Sequence, residues 1–260
     1  MHCPTLLVHL LLAVTSIFGR QHTQPAEMDM TEVELIASRA AELGGATLGI
    51  GLVRYATGER LVTGETGRMS CGEGSLALAL CAWDRVSSDG LADRSGDVDS
   101  LVRSACRGDA GSAAALYRWL GGQRLNSWLA EKGLEETGAS VSESDTGELA
   151  ANSTVSDQLE LLALLNRNLD FPEFRRLIRH TFPSGPYRMA NLPAGITAFG
   201  AVSVTGGGES IAAVLCLPEG ERFGLVVLVE APCCAGKGEL ALTMVWDALQ
   251  RQLSAERSPG

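Results

Sequence analysis

Lysine is nearly absent from this chain of 260 residues, and arginine carries almost all of its positive charge. The two lysines are Lys132 and Lys237, and the residues three positions before them are Leu129 and Cys234. A serine and a lysine three residues apart lie on adjacent turns of one helix face, the spacing that lets the lysine handle the serine's proton. The sequence therefore excludes a catalytic serine–lysine pair of this spacing.

Other catalytic and metal-binding signatures are also missing. His180 is the only histidine well inside the chain, and no G-x-S-x-G sequence is present, so a Ser-His-Asp arrangement has no support. No C-x-x-C or Cys/His spacing indicates zinc, and we expect neither a metal nor a cofactor. The six cysteines after Cys3 are compatible with disulfides or with buried free thiols.

The charge balance limits the class of partner. Asp and Glu number 31 against 21 Lys and Arg, which gives a formal net charge of -10. Such a charge argues against nucleic acid and against anionic membrane surfaces as partners. The 45% apolar and 20% charged content is that of a globular protein with a proper core.

The N-terminal residues contain an apolar run, Leu6–Phe18, that is too short for a comfortable transmembrane helix and has signal-peptide length. No Lys or Arg precedes it, and Arg20 follows it. We therefore expect residues 1–20 to be a signal peptide or an uncleaved N-terminal anchor, with residues 21–28 as a polar linker. The protein is then secreted or held in the cell envelope, with membrane contact only through this segment.

The most informative stretch is Arg68–Val86, which changes from a small polar loop to a run of Leu, Ala, Cys and Trp. This run leaves no polar face before Asp84, so it predicts a helix that is covered on all sides. Several hydrolase families place a nucleophile in such a loop, because the N-terminus of the helix stabilises developing negative charge.

The rest of the chain divides into helices and strands by its apolar periodicity. Before the loop, the patterns predict a helix at Asp29–Leu43 and a hairpin of strands Ala46–Tyr55 and Arg60–Gly64. After it, Ser87–Ser100 and Glu135–Ala151 are predicted as exposed connections. The helices predicted between and after these connections are Leu101–Cys106, Ser112–Leu120, Arg124–Lys132, Val155–Leu169 with a cap at Asn152–Thr154, and Phe171–His180.

Three strand-like runs then follow, at Gly195–Val204, Ser210–Leu217 and Phe223–Glu230, and a last helix at Glu239–Leu253. Their short links predict an antiparallel meander. The whole order predicts an α+β fold with a five-stranded antiparallel sheet, flanking terminal helices and an inserted helical domain. Residues 29–67 and 195–256 would form a discontinuous α/β part, and residues 68–194 the helical part.

This order resembles the class A β-lactamase and penicillin-binding serine hydrolase family. Arg68–Val86 resembles the nucleophile loop and first buried helix of that family. The other segments that carry the resemblance are Asp109–Gly122 (the helix after the second motif), Leu125–Gly138 (its continuation), Asn152–Leu165 (the threonine-capped helix after the omega loop) and Ile211–Val229 (the fourth and fifth strands). The resemblance implies a serine hydrolase fold with a cleft between its two parts.

The catalytic motifs of the family are not retained. The family's S-x-x-K matches Gly72-Glu73-Gly74-Ser75 here, or Ser70-Cys71-Gly72-Glu73 in another register. Its S-x-N or Y-x-N aligns with Gly108-Asp109-Ala110, and its K-T-G aligns with Ala198-Phe199-Gly200, where only the glycine remains. The omega-loop acid has no clear counterpart, because Glu143 and Glu148 lie in a loop that is shortened.

These departures predict a β-lactamase-like protein without catalytic activity. It would bind a cell-wall peptide, an envelope protein or a small ligand through a vestigial cleft. The residues of this cleft would be Gly72, Asp109, Phe199 and Gly200. The alternative is an active serine or cysteine hydrolase with a nonstandard site, and its candidate residues are Ser70, Cys71, Glu73 and Ser75. In that case the helix dipole would activate Cys71.

Overall fold

The computed structural model describes residues 47–71, 74–88, 96–141, 149–178, 197–205, 208–218 and 220–230. The strands in this part are β1 (Thr47–Arg54), β2 (Glu59–Gly64), β3 (Met69–Ser70), β4 (Gly138–Val141), β5 (Leu149–Ser153), β6 (Thr197–Thr205), β7 (Gly208–Cys216) and β8 (Arg222–Glu230). The helices are α1 (Ser75–Ser88), α2 (Gly96–Ala105), α3 (Ala110–Leu120), α4 (Gly122–Glu131), α5 (Val155–Asn168) and α6 (Pro172–Ile178).

The larger sheet has five antiparallel strands in the order β2-β1-β8-β7-β6. β1 pairs with β8 along its whole length, from Thr47 opposite Glu230 to Arg54 opposite Phe223. The first and last described strands of the chain are therefore neighbours, and the helices enter between β2 and β6. This confirms the predicted α+β fold with a five-stranded sheet built from both halves of the chain.

β8 lies in the middle of the sheet, and its sequence RFGLVVLVE explains why. All seven residues from Phe223 to Val229 are buried, which requires cover on both faces of the strand. A strand covered on one face alternates apolar and polar residues, whereas one covered on both faces is a continuous apolar run. On one face, α5 packs against the glycines of β1, since a Cβ at Gly51 would contact Val155 and Leu159.

α1 is the central helix of the helical part. All eight residues from Ser75 to Ala82 are buried, and α1 contacts α2, α3, α4, α5 and β6. The prediction of a helix covered on all sides is confirmed, with the end of the helix at Ser88, two residues beyond the predicted Val86.

The prediction that Glu135–Ala151 is an exposed loop is wrong, because both ends of this segment are strands. β4 and β5 pair from Gly138 opposite Asn152 to Val141 opposite Leu149, and β3 pairs with the other edge of β5. These strands contain mostly Gly, Ala, Ser and Asn, which have little preference for strands, so their pattern did not reveal them.

The connection predicted at Ser87–Ser100 is also partly helical. α2 begins at Gly96, five residues before the predicted start at Leu101. Asp97 and Asp99 lie in its first turn, where negative side chains interact favourably with the positive end of the helix dipole. Acidic residues that suggested a surface connection are therefore the start of a helix.

Several predicted segments lie outside the described residues: the N-terminal residues 1–28, the helix Asp29–Leu43 and the helix Glu239–Leu253. Within the described part, none of the helices combines the length and the apolar character that a membrane crossing requires.

The close packing of α5 on β1 gives a stability prediction. A Cβ at Gly51 would lie 2.5 Å from Val155 Cγ1 and 3.0 Å from Leu159 Cδ1. Gly51→Ala should lower the free energy of unfolding by about 1–3 kcal/mol, because the added methyl group overpacks a buried contact. Urea denaturation of the purified protein measures the change.

Gly111→Ala is the matched control for this variant. Gly111 lies in the first turn of α3, and a Cβ there meets its nearest neighbour, Asp109 Oδ1, at an ordinary 3.6 Å. The substitution should leave stability unchanged or raise it by up to about 1 kcal/mol, because alanine favours a helix over glycine. Equal effects of the two substitutions would contradict the packing described for α5.

Candidate functional site

The first turn of α1 is the position where the resemblance expects a nucleophile and its lysine. Ser75 is the first residue of the helix, and the backbone N–H of Leu78 donates to the carbonyl of Gly74 over 3.1 Å. Ser75 is 1% exposed, and Ala77 and Leu78 are buried. The side chains one turn into the helix are therefore hydrocarbon, and none of them can accept or relay a proton.

Lys132, the one lysine in the described part of the chain, lies elsewhere. It follows α4, its Nζ is 3.6 Å from Asp84 Oδ2, and it lies over the ring of Trp128, 5.6 Å from the ring centre. Asp84 comes nine residues after Ser75 in α1. At 1.5 Å per residue, that places it about 13 Å along the helix axis from the start of α1. Lys132 therefore cannot serve a nucleophile at the start of α1.

Ser70 and Cys71 lie at the end of β3, where the small sheet meets the large one. Ser70 pairs with Asn152 and is partly exposed, whereas Cys71 is buried. The backbone N–H of Cys71 donates to the carbonyl of Ala151 over 2.9 Å, and the hydroxyl of Ser210 in β7 donates to the carbonyl of Cys71 over 3.0 Å. Cys71 therefore ties the two sheets together, while Gly72 and Glu73 lie outside the described residues.

Cys106 joins the three elements that would border a cleft. It is fully buried just after α2, and its Sγ lies 3.9 Å from the carbonyl oxygen of Ser75 in α1. Its own carbonyl accepts a hydrogen bond of 3.1 Å from the backbone N–H of Val202 in β6. We call this set of contacts the Cys106 junction. The start of α1, the end of α2 and strand β6 are therefore in direct contact.

The Cys106 junction was not predicted from the sequence. The one local signal was Gly108, whose φ of 83° ends α2 in the left-handed conformation that glycine adopts without strain. The glycine indicates where the helix ends and carries no information about its contact with β6. Burial raises the pKa of the Cys106 thiol to about 12, so the thiol stays protonated at neutral pH.

Phe199 and Gly200, two of the predicted cleft residues, are buried in β6. Phe199 belongs to the same apolar core as α1. A Cβ at Gly200 would overlap the carbonyl oxygen of Ala212 and lie 2.7 Å from the Cα of Ala213 in the neighbouring strand. The packing of β6 against β7 thus accounts for this glycine without a ligand.

Asp109, the remaining predicted cleft residue, caps α3. Its side chain is exposed, and its Oδ1 accepts a hydrogen bond of 2.6 Å from the backbone N–H of Ser112. Hydrogen bonds from the Ser112 side chain and from this backbone N–H stabilise the ionised carboxylate and lower the pKa of Asp109 below its usual value. The residue that aligns with the second motif has a structural role at a helix N-terminus.

Buried hydroxyl groups meet at the start of α5. The hydroxyl of Thr154 accepts a hydrogen bond from the backbone N–H of Asp157, which confirms the predicted cap. The hydroxyl of Thr137 donates to Asp157 Oδ2 over 2.9 Å and lies 2.7 Å from Ser153 Oγ. These contacts connect the segment before β4, the end of β5 and the first turn of α5.

The predicted shortening of the omega loop has a geometric counterpart. Val141 and Leu149 are paired across β4 and β5, so only the seven residues 142–148 connect the two strand ends. Glu143 and Glu148, considered above as the omega-loop acid, belong to this connection and lie outside the described residues. The described residues also contain no group of three or more His, Cys, Asp or Glu side chains that could hold a metal ion.

Comparison with solved structures identifies the architecture. The chain is similar to a β-lactamase from Sphaerobacter thermophilus, with a TM-score of 0.65 and 16% identity over 89% of this chain and 100% of that one. It is also similar to a β-lactamase from Xanthomonas campestris pv. campestris, with a TM-score of 0.64 and 18% identity over 84% of this chain and 96% of that one. For a class A β-lactamase from Bacteroides cellulosilyticus, the TM-score is 0.62 and the identity is 12% over 85% of this chain and 97% of that one.

At these identities the similarity shows the fold alone, and the protein has a β-lactamase-like fold. No protein-family model and no curated protein sequence matches the chain.

The cap at Asp109 gives a prediction with a defined pH dependence. Asp109→Ala should lower the free energy of unfolding by about 1 kcal/mol at pH 7, because the first turn of α3 loses its side-chain acceptor. Since the folded-state pKa is lowered, the contribution of the carboxylate is complete above the unfolded-state pKa. It is lost as the pH falls through the folded-state value.

Urea denaturation of Asp109→Asn separates the charge from the cap. The stability difference between the wild-type protein and Asp109→Asn should shrink as the pH is lowered below about 4, the usual carboxyl range. A difference that stays constant down to pH 2 would show that the charge of Asp109 makes no contribution.

Buried cysteines should resist alkylation. Burial raises the pKa of Cys81 to about 11 and that of Cys106 to about 12. Iodoacetamide at pH 8 should therefore leave both residues unmodified in the native protein and modify both in urea, because only an accessible thiolate reacts. Peptide mass spectrometry measures the extent of alkylation at each cysteine. Rapid native alkylation of Cys106 would contradict a closed Cys106 junction.

Proposed function

We propose that this protein is a noncatalytic, exported member of the β-lactamase-like fold that acts by binding. The Cys106 junction carries this proposal, because the end of α2 directly contacts both β6 and the start of α1, where the resemblance expects a nucleophile. Its partner is another protein of the cell envelope, bound at the surface of the molecule. Direct contact at the start of α1 disfavours a cell-wall peptide or a small ligand there and favours a protein partner.

The side chains described in the first turn of α1 also support the noncatalytic proposal. Acyl transfer to a serine needs a base within hydrogen-bonding distance of its hydroxyl. The first turn of α1 presents Ala77 and Leu78, and Lys132 lies near Asp84 in the C-terminal half of the helix. The described residues contain no histidine. Among the described residues, these features disfavour a lysine or a histidine as the base for a nucleophile at Ser75.

Export is part of the proposal and rests on the sequence. The apolar run Leu6–Phe18 has the length of a signal-peptide core, and it is followed by a polar linker. An envelope partner is consistent with this location, and a net charge of -10 disfavours nucleic acid.

One observation favours the alternative, a hydrolase with a nonstandard site. Among Ser70, Cys71 and Ser75, only Ser70 is partly exposed, so its hydroxyl is the one that a substrate could reach. A hydrolase built on Ser70 would need its base from Glu73, three residues later in the chain. The backbone bonds of Cys71 to both sheets hold this segment in a structural role, which favours the noncatalytic proposal.

Covalent labelling decides between the two functions. The purified protein, incubated with a fluorescent penicillin and separately with a fluorophosphonate serine-hydrolase probe, should carry no label. An active β-lactamase-fold enzyme in the same experiment serves as the positive control. Gel fluorescence and intact-protein mass spectrometry measure the adduct.

Three variants identify the source of any label that does form. Label abolished by Ser70→Ala or Ser75→Ala, but not by Ser140→Ala, would overturn the noncatalytic proposal. Ser140 is the matched control, because it is an exposed serine of β4. Label that survives all three substitutions would exclude Ser70 and Ser75 as its source and would leave the account of α1 unchanged.

A further inference from the structure

We draw no further inference here: the strongest candidate, the aromatic surface patch formed by the exposed Phe171 just before α6 and Trp83 of α1, carries nothing because no feature of the described structure shows what covers it.

Discussion

The burial of the first half of α1 is the constraint on which the rest of the structure depends. Its eight buried residues are packed by four helices and by β6, so most of the described helical part surrounds this one helix. Each large apolar side chain buried in this way stabilises the fold by about 1.5–3 kcal/mol. An uncompensated lysine ammonium in the same place would cost several kcal/mol. Close apolar packing in the first turn of α1 therefore favours alanine and leucine over the catalytic lysine that the resemblance expects there.

Backbone groups make the contact between the helical part and the larger sheet. Here the carbonyl of Cys106 accepts the N–H of Val202, an N–H of an edge strand that would otherwise need water or a ligand as its partner. The backbone of Cys71 makes a second contact of this kind, because its hydrogen bonds join the small sheet to the large one.

Much of this fold was predictable from local sequence, whereas the Cys106 junction was not. The continuous apolar runs of α1 and β8 require cover on all sides, and Thr154 is a recognisable cap, so these elements follow from neighbouring residues. β4 and β5 consist of small residues whose strand conformation is set by their partners. The Cys106 junction joins Cys106 to Ser75, 31 residues earlier, and to Val202, 96 residues later. No local sequence pattern predicts contacts over such separations.

Amide hydrogen exchange at Val202 tests the central claim most directly, namely that the backbone at the end of α2 is hydrogen-bonded to the edge of β6. If the N–H of Val202 is bonded to Cys106, it should exchange slowly, within about tenfold of central-strand amides such as Val227, because both then open only with the cooperative core. Exchange of Val202 faster by several orders of magnitude, with Val227 still protected, would contradict the account. It would show that the edge of β6 is open to solvent and available to a ligand.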